Sequence, residues 1–368
     1  MREGWTYKKW ADVLTIINGK NQTAVESKDG EYPIYGSGGI MGYANNWLCP
    51  ENCVVIGRKG NINKPIFVTT KFWNVDTAFG LNAHDNSLLP KFLFYFCQDY
   101  NFERHNKAVT IPSLTKADLL KINIPIPSLS EQQAIVSELD KINELISLKK
   151  AQLSDLDNLA QSIFYDMFGD PTTNEKEWEV KTIEDICSSI VRGPFGSALK
   201  KEYFVEPGET TYKVYEQKHA IQKDASIGSY YVTKEKFDEL SRFEIKANDI
   251  IMSCSGTIGE LFRIPNSAEK GLMNQALLKF TLNESVNYHF FFFMMEYVKK
   301  DFTVRGTGLQ NIGSVKIIKE MSFGLPPLPL QQEFAKRIEL IEQQKAQISS
   351  TIKDLETLLA SRMQYWFD

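Results

Sequence analysis

Residues 131–168 read EQQAIVSELDKINELISLKKAQLSDLDNLAQSIFYDMF, and the fold follows from how apolar residues recur along them. From Ile135 the recurrence runs by fours and threes: Ile135, Leu139, Ile142, Ile146, Lys149, Leu153, Leu156, Ala160, Ile163, Met167. Apart from Lys149 all are apolar. Such spacing lines one stripe of a helix, and the stripe needs a second helix to bury it. Ser130 with Gln133 reads as a capping box at the start, Pro125-Ile126-Pro127 blocks helix upstream, and Gly169-Asp170-Pro171 ends it.

The C-terminus carries the partner stripe: Phe334, Ile338, Ile341, Lys345, Ile348, Ile352, Leu355, Leu359, Arg362, Trp366, each 199 positions after its counterpart. At that offset, without gaps, Gln132/Gln331, Gln133/Gln332, Ile142/Ile341, Asp155/Asp354, Leu156/Leu355, Leu159/Leu358, Ser162/Ser361 and Phe168/Phe367 are identical. Seam phase, Gln-Gln start and Phe end agree together, so the chain reads as an internal duplication whose two seams are expected to pair antiparallel.

At 368 residues the chain is long enough for two or three domains with real cores. Its 43% hydrophobic and 24% charged residues are ordinary for a soluble protein. Met1-Arg2-Glu3-Gly4-Trp5 is not a signal peptide, and no apolar run approaches a membrane span. Five cysteines without a framework spacing fit a reducing cytoplasm. Residues 1–170 carry 17 Lys/Arg against 19 Asp/Glu, and residues 171–368 carry 25 against 27. A nucleic-acid site on such a chain is expected to be a local patch within an acidic exterior.

Ahead of the first long helix, Tyr32-Pro33-Ile34-Tyr35-Gly36-Ser37-Gly38-Gly39-Ile40-Met41-Gly42-Tyr43 places four glycines between aromatics. It reads as a tight loop or a plain hairpin. Val54-Val55-Ile56 reads as a buried strand feeding Gly57-Arg58-Lys59-Gly60-Asn61, a basic turn suited to phosphates or simply solvated. Phe92 to Tyr100 reads as an aromatic core helix. Residues 171–325 repeat this plan: Trp178 and Lys181 echo Trp5 and Lys8, and Phe290 to Val298 echoes Phe92 to Tyr100. Ile250 to Met252 and Ser255-Gly256-Thr257-Ile258-Gly259 echo the strand and turn, while Ser314-Val315 and Leu325-Pro326 echo Ser113-Leu114 and Ile124-Pro125. Arg192-Gly193-Pro194-Phe195-Gly196-Ser197, followed by Lys200 and Lys201, has no clear counterpart.

The Gln-Gln helix openings, the Pro-rich entries, the Phe168-Gly169-Asp170-Pro171 exit, the two variable units and the loops at Tyr35–Gly39 and Arg192–Ser197 resemble the specificity subunit of type I restriction–modification systems. The resemblance covers essentially the whole chain, although Leu330 stands where a Ser-type cap would open the second helix. It implies an α/β (α+β) fold: two target-recognition domains, 1–127 and 171–327, joined by long antiparallel coiled-coil helices, 128–170 and 328–368, in an internal pseudo-twofold duplication. Each domain would read half of a split double-stranded DNA site, with the helices setting the spacing and docking two methyltransferase subunits, alongside restriction subunits. S-adenosylmethionine, ATP and Mg would sit on those partners. Candidate DNA contacts are Ser37, Arg58, Lys59 and Asn61 in the first domain, and Arg192, Ser197, Lys200, Lys201 and Lys218 in the second.

Catalytic patterns are thin. The chain has no Gly-x-x-x-x-Gly-Lys-Ser/Thr loop and no Asn/Asp-Pro-Pro-Tyr/Phe methyltransferase motif. Cys49 and Cys53 form one pair without a second, and His84, His105, His219 and His289 share no ligand spacing, so no metal is expected. Asp170 with Glu179-Val180-Lys181 imitates the Asp…Glu-x-Lys pattern of a metal-dependent nuclease, which leaves a stand-alone nuclease as one alternative. A non-DNA oligomerisation scaffold is the other.

Overall fold

The structure is a computed structural model that describes residues 4–84, 86–106, 111–195, 198–299 and 314–367. The chain divides into two compact units: residues 1–153 with 347–368, and residues 154–346. Each of the two long helices, Leu129–Phe168 and Leu328–Phe367, therefore contributes a segment to both units.

In the first unit an antiparallel sheet runs in the order Leu14–Asn18, Ala78–Ala83, Cys53–Gly57, Ile66–Val68. Cys53–Gly57 is buried at every residue, which is why it reads as an unbroken apolar run rather than an alternating one. A second sheet holds the hairpin Tyr32–Gly36/Gly39–Ala44 with Trp73–Asn74 parallel to its first strand. Thr6–Lys9 pairs with Asn123–Ile126 just before the long helix. The helix Pro90–Asp99 inserts Phe92, Leu93 and Phe96 into the core, where they meet Trp10, Ile135, Leu139 and Met363.

The second unit repeats the plan with one addition. Its first sheet runs Cys187–Arg192, Leu277–Leu282, Ile250–Ser253, Leu261–Arg263. Its second sheet again sets a strand, Thr211–Tyr215, between an antiparallel neighbour, Tyr231–Thr233, and the parallel strand Gly271–Met273, and adds one extra strand, Glu244–Ile245. Glu179–Thr182 pairs with Ser322–Leu325, and the aromatic helix is Tyr288–Val298. These registers correct two of the echoes read from sequence. Leu325-Pro326 matches Ile126-Pro127, and the capping residue Ser314 matches Thr115. The repeated Pro and Ser are two residues from their apparent partners because the pairing aligns strands, not letters.

Every seam position on both helices is buried or half-buried. Within the first unit the helix segments run antiparallel. Glu138 accepts from the Arg362 guanidinium and, at 3.2 Å, from Trp366 Nε1, whereas Lys150, further along, reaches back to Glu356 at 2.8 Å. The Arg362 hydrogen bond holds the Glu138 carboxyl below its ordinary range. In the second unit Asp157 pairs with Lys345, while Phe164 and Phe168 meet Phe334 with ring centroids 5.5 and 5.3 Å apart, the same antiparallel sense.

The helix starts differ from the sequence reading. The capping box is Ser128 with Glu131, not Ser130 with Gln133: Glu131 N–H donates to Ser128 Oγ at 3.2 Å and Ser128 N–H to the Glu131 carboxylate at 3.0 Å. Ser128 directly follows Pro127 and caps the first turn, which leaves Ser130 inside the helix. Gly169, at φ +71°, closes the other end as expected of a left-handed C-terminal residue.

Gln132 and Gln331 are fully buried, and their roles coincide. The Gln132 amide oxygen accepts from Leu89 N–H at 2.8 Å, and its nitrogen donates to the Ser87 and Pro127 carbonyls at 2.9 and 3.0 Å. The Gln331 oxygen accepts from Asn287 N–H at 2.8 Å, and its nitrogen donates to the Ser285 and Pro326 carbonyls at 3.3 and 2.8 Å. Each glutamine ties the loop before the aromatic helix to the proline at the long helix's entry. Gln132→Ala is expected to lower stability by about 1–3 kcal/mol, since it strands buried backbone groups. The exposed neighbour Gln133→Ala should change it by less than ~0.5 kcal/mol. Urea unfolding of both variants checks the contrast.

Candidate nucleic-acid interface

In the first unit the hairpin turn at Ser37-Gly38 and the basic turn at Gly57–Asn61 touch. A Cβ placed on Gly57 would lie 2.3 Å from the Asn61 carbonyl oxygen and 3.1 Å from Ser37 Cβ, so only glycine lets the two turns close together. One on Gly38 would lie 3.8 Å from Asn61 Nδ2. The basic turn is clamped by backbone hydrogen bonds on two sides. Arg58 and Lys59 N–H both donate to the Thr77 carbonyl, at 2.8 and 3.2 Å, and Gly60 N–H donates to Pro112 O at 3.1 Å. The side chains of Arg58, Lys59 and Asn61 remain exposed. The Arg58 guanidinium donates to the Asp76 carbonyl at 3.3 Å and sits 5.9 Å from the Phe79 ring centroid, which restrains it without neutralising it. Ser37, Arg58, Lys59 and Asn61 thus share one surface.

The second unit places its candidates on three elements. Lys200 and Lys201 are exposed at a short turn before Phe204, and Lys200 approaches Glu202 at 3.7 Å. Phe204 stacks on Tyr230 at 4.5 Å between centroids, and Lys218 Nζ lies 5.4 Å from that same ring and 2.6 Å from Glu216. Lys218 thus sits at this ring stack, and Lys200 and Lys201 precede its Phe204 in the chain. Arg192 is different: it is 9% exposed, its Nε donates to the Gln275 carbonyl at 3.1 Å, and its guanidinium lies 5.7 Å from the ring of Phe195. Ser197 lies outside the described residues.

The structure supplies the counterpart that the Arg192-Gly193 stretch lacks in sequence. A Cβ on Gly193 would lie 1.8 Å from the Asn274 carbonyl oxygen, and one on Gly19 would lie 1.8 Å from the Val75 carbonyl oxygen. Gly193 N–H donates to Leu277 O and Gly19 N–H to Ala78 O, so Gly193 and Gly19 occupy one position of the shared plan.

Sequence reasoning missed the buried cations of the second unit. Lys213 is fully buried and donates to Glu269 and to the Ser226 carbonyl, each at 3.0 Å, and this lysine holds the Glu269 carboxyl below its ordinary range. Lys279 lies 3.3 Å from buried Asp249. Lys213 and Lys279 lie on strands, in Thr211–Tyr215 and Leu277–Leu282, where burial runs unbroken along consecutive residues, so alternation gives no signal for them. His219 is buried with both ring nitrogens against carbonyls, and burial lowers its pKa.

The residues of the nuclease pattern are engaged in local contacts. Asp170 caps its own turn, accepting from Thr172 N–H at 2.8 Å, and Glu179 pairs with Lys181. Among the described residues no group of three or more His, Cys, Asp or Glu could hold a metal ion. No described helix is long and apolar enough to cross a membrane.

The family model for the type I restriction modification DNA specificity domain matches residues 2–158 and 175–357. The chain is similar to the type I restriction enzyme MjaIX specificity subunit of Methanocaldococcus jannaschii, 24% identical over 282 residues that cover 68% of this chain and 61% of that protein. It is also 24% identical to the putative type I specificity subunit S.MpnORF507P of Mycoplasma pneumoniae, covering 91% of this chain and 88% of that one. In fold it resembles the S subunit of a type I restriction–modification system from M. genitalium, with a TM-score of 0.59, 17% identity and coverage of 99% and 96%.

Gly193→Ala is expected to destabilise by about 1–3 kcal/mol through overpacking. Gly208→Ala should cost under ~0.5 kcal/mol, because its nearest contact is a Thr211 methyl at 3.9 Å. Thermal unfolding of the two variants distinguishes them.

Proposed function

We propose that this chain, which belongs to the family of type I restriction–modification DNA specificity domains, is the DNA-reading subunit of such a system and is not itself catalytic. The observation that carries the reading is one scaffold built twice with different loops. Both units share sheet order, the parallel strand pair, the aromatic helix and the buried glutamine, whereas the exposed cations sit on unlike turns. A bipartite DNA target read by two unlike surfaces calls for that arrangement. Arg58 and Lys59 would contact phosphates, with Ser37 and Asn61 at base edges. Lys200, Lys201 and Lys218 would serve the second half-site. Methyl transfer and cleavage would belong to methyltransferase and restriction subunits carrying S-adenosylmethionine, ATP and Mg.

Three of the identical pairs, exposed and off the seam, point to where those partners dock. Asp155/Asp354, Leu159/Leu358 and Ser162/Ser361 are all exposed and line one stripe at i, i+4, i+7, once in each unit. Leu159 and Leu358 are 47% and 46% exposed, apolar surface with no partner within the chain's own seam. Two equal stripes suit two copies of one methyltransferase.

Three measurements test the reading. Sequencing of methylated bases in cells expressing the chain with its methyltransferase should return one split motif, and the absence of any motif would refute DNA reading. Arg58→Ala/Lys59→Ala should weaken binding and shallow its salt dependence by roughly two counterions, with sequence preference kept. Native mass measurement of the complex should give two methyltransferase copies, reduced to one by either Leu159→Asp or Leu358→Asp.

A further inference from the structure

We propose that the hairpin Tyr32–Gly36/Gly39–Ala44 of the first unit is the ribbon that enters the major groove, and that Ile40 and Met41 at its tip read thymine methyl groups. The inference rests on the DNA-recognition reading above and names the chemistry that it leaves open.

Ile40 pairs with Tyr35, and Met41 is the extra residue of a bulge between the pairs Tyr35↔Ile40 and Ile34↔Gly42, so strict face alternation is broken there. Both side chains are exposed, at 55% and 62%. Tyr43, two residues on, is 46% exposed. Large apolar side chains exposed together just behind a hairpin turn mark a surface that is covered on binding.

The neighbours say what covers it. The hairpin closes through the pair Gly36↔Gly39 around Ser37-Gly38, so its leading edge carries one small hydroxyl side chain and no bulk. That edge touches the turn carrying Arg58, Lys59 and Asn61, whose Gly57, Gly60 and Asn61 approach Ser37 and Gly38, and both cations of that turn are exposed. Met41 Sδ would lie 2.6 Å from a Cβ on Gly36, so glycine there seats the methionine against the ribbon. The Glu26 carboxylate lies beside Gly42, on the outgoing strand rather than at the turn. A turn with two exposed cations against the closed end of a thin ribbon matches a groove walled by phosphates. A major groove about 12 Å wide admits a two-stranded ribbon, and the thymine C5-methyl is the apolar group it displays.

The test uses the assembled complex with its methyltransferase and a duplex carrying the motif mapped above. Each thymine of the first half-site is replaced in turn by deoxyuridine, which removes only the methyl. At one or two positions the dissociation constant is expected to rise about fourfold, the equivalent of ~0.8 kcal/mol for one buried methyl. Ile40→Ser/Met41→Ser should bind thymine and uracil duplexes equally, with unchanged complex mass and thermal midpoint. Equal binding of every uracil duplex by the wild type, a first half-site without thymine, or a variant that still discriminates would each overturn the proposal while DNA recognition stands. A variant that loses its methyltransferase would overturn it too, by making the hairpin a subunit contact. A wild-type complex that binds no duplex would instead remove the reading beneath it.

Discussion

A glutamine buried at the start of each long helix is the constraint from which the rest of each unit takes its register. An amide in an apolar interior is costly unless its oxygen and both N–H groups are paired. Gln132 and Gln331 meet that condition in the same way, by accepting one backbone N–H and donating to two carbonyls. Three chain segments must arrive together: the loop before the aromatic helix, the proline that ends the last strand, and the first turn of the long helix. Once they do, the seam residues face the core at a set height and the strand pairs Thr6–Lys9/Asn123–Ile126 and Glu179–Thr182/Ser322–Leu325 follow. The second glutamine of each pair, Gln133 or Gln332, is exposed and bears none of this.

On that scaffold the surfaces are free to diverge. The close approach of a glycine to a carbonyl is kept in both units, at Gly19 and Gly193, because no side chain fits there. The turns beyond it share little. One unit offers Arg58 and Lys59 on a backbone-clamped turn, and the other offers lysines around the Phe204–Tyr230 stack. The second unit also adds a strand and buries Lys213 and Lys279 against carboxylates and carbonyls. With a net charge of −4 the chain has no diffuse positive field. Attraction to a polyanion must come from such local clusters, which ties affinity to specific turns rather than to the protein as a whole.

Much of the fold was legible because helical periodicity and duplication are written in spacing alone. The seams, the two helix spans and the 199-residue offset needed no knowledge of what lies across the fold, since i, i+3 and i+4 neighbours are set by the helix itself. The buried strand at Val54 to Ile56 and the aromatic helices were readable on the same ground. Contacts made across long stretches of chain were not. Ser128 rather than Ser130 caps the first helix because Pro127 determines where the turn begins. Arg192 reads as an exposed cation, yet it is buried by a carbonyl 83 residues away. Gly193 has a counterpart in Gly19 that no local alignment reveals, because what they share is the carbonyl each faces, at Asn274 and Val75. The sequence by itself determined the duplicated helices and the plan between them. Only the tertiary structure decided which cations reach solvent and which turns meet, because burial and hydrogen bonding there depend on partners that periodicity does not encode.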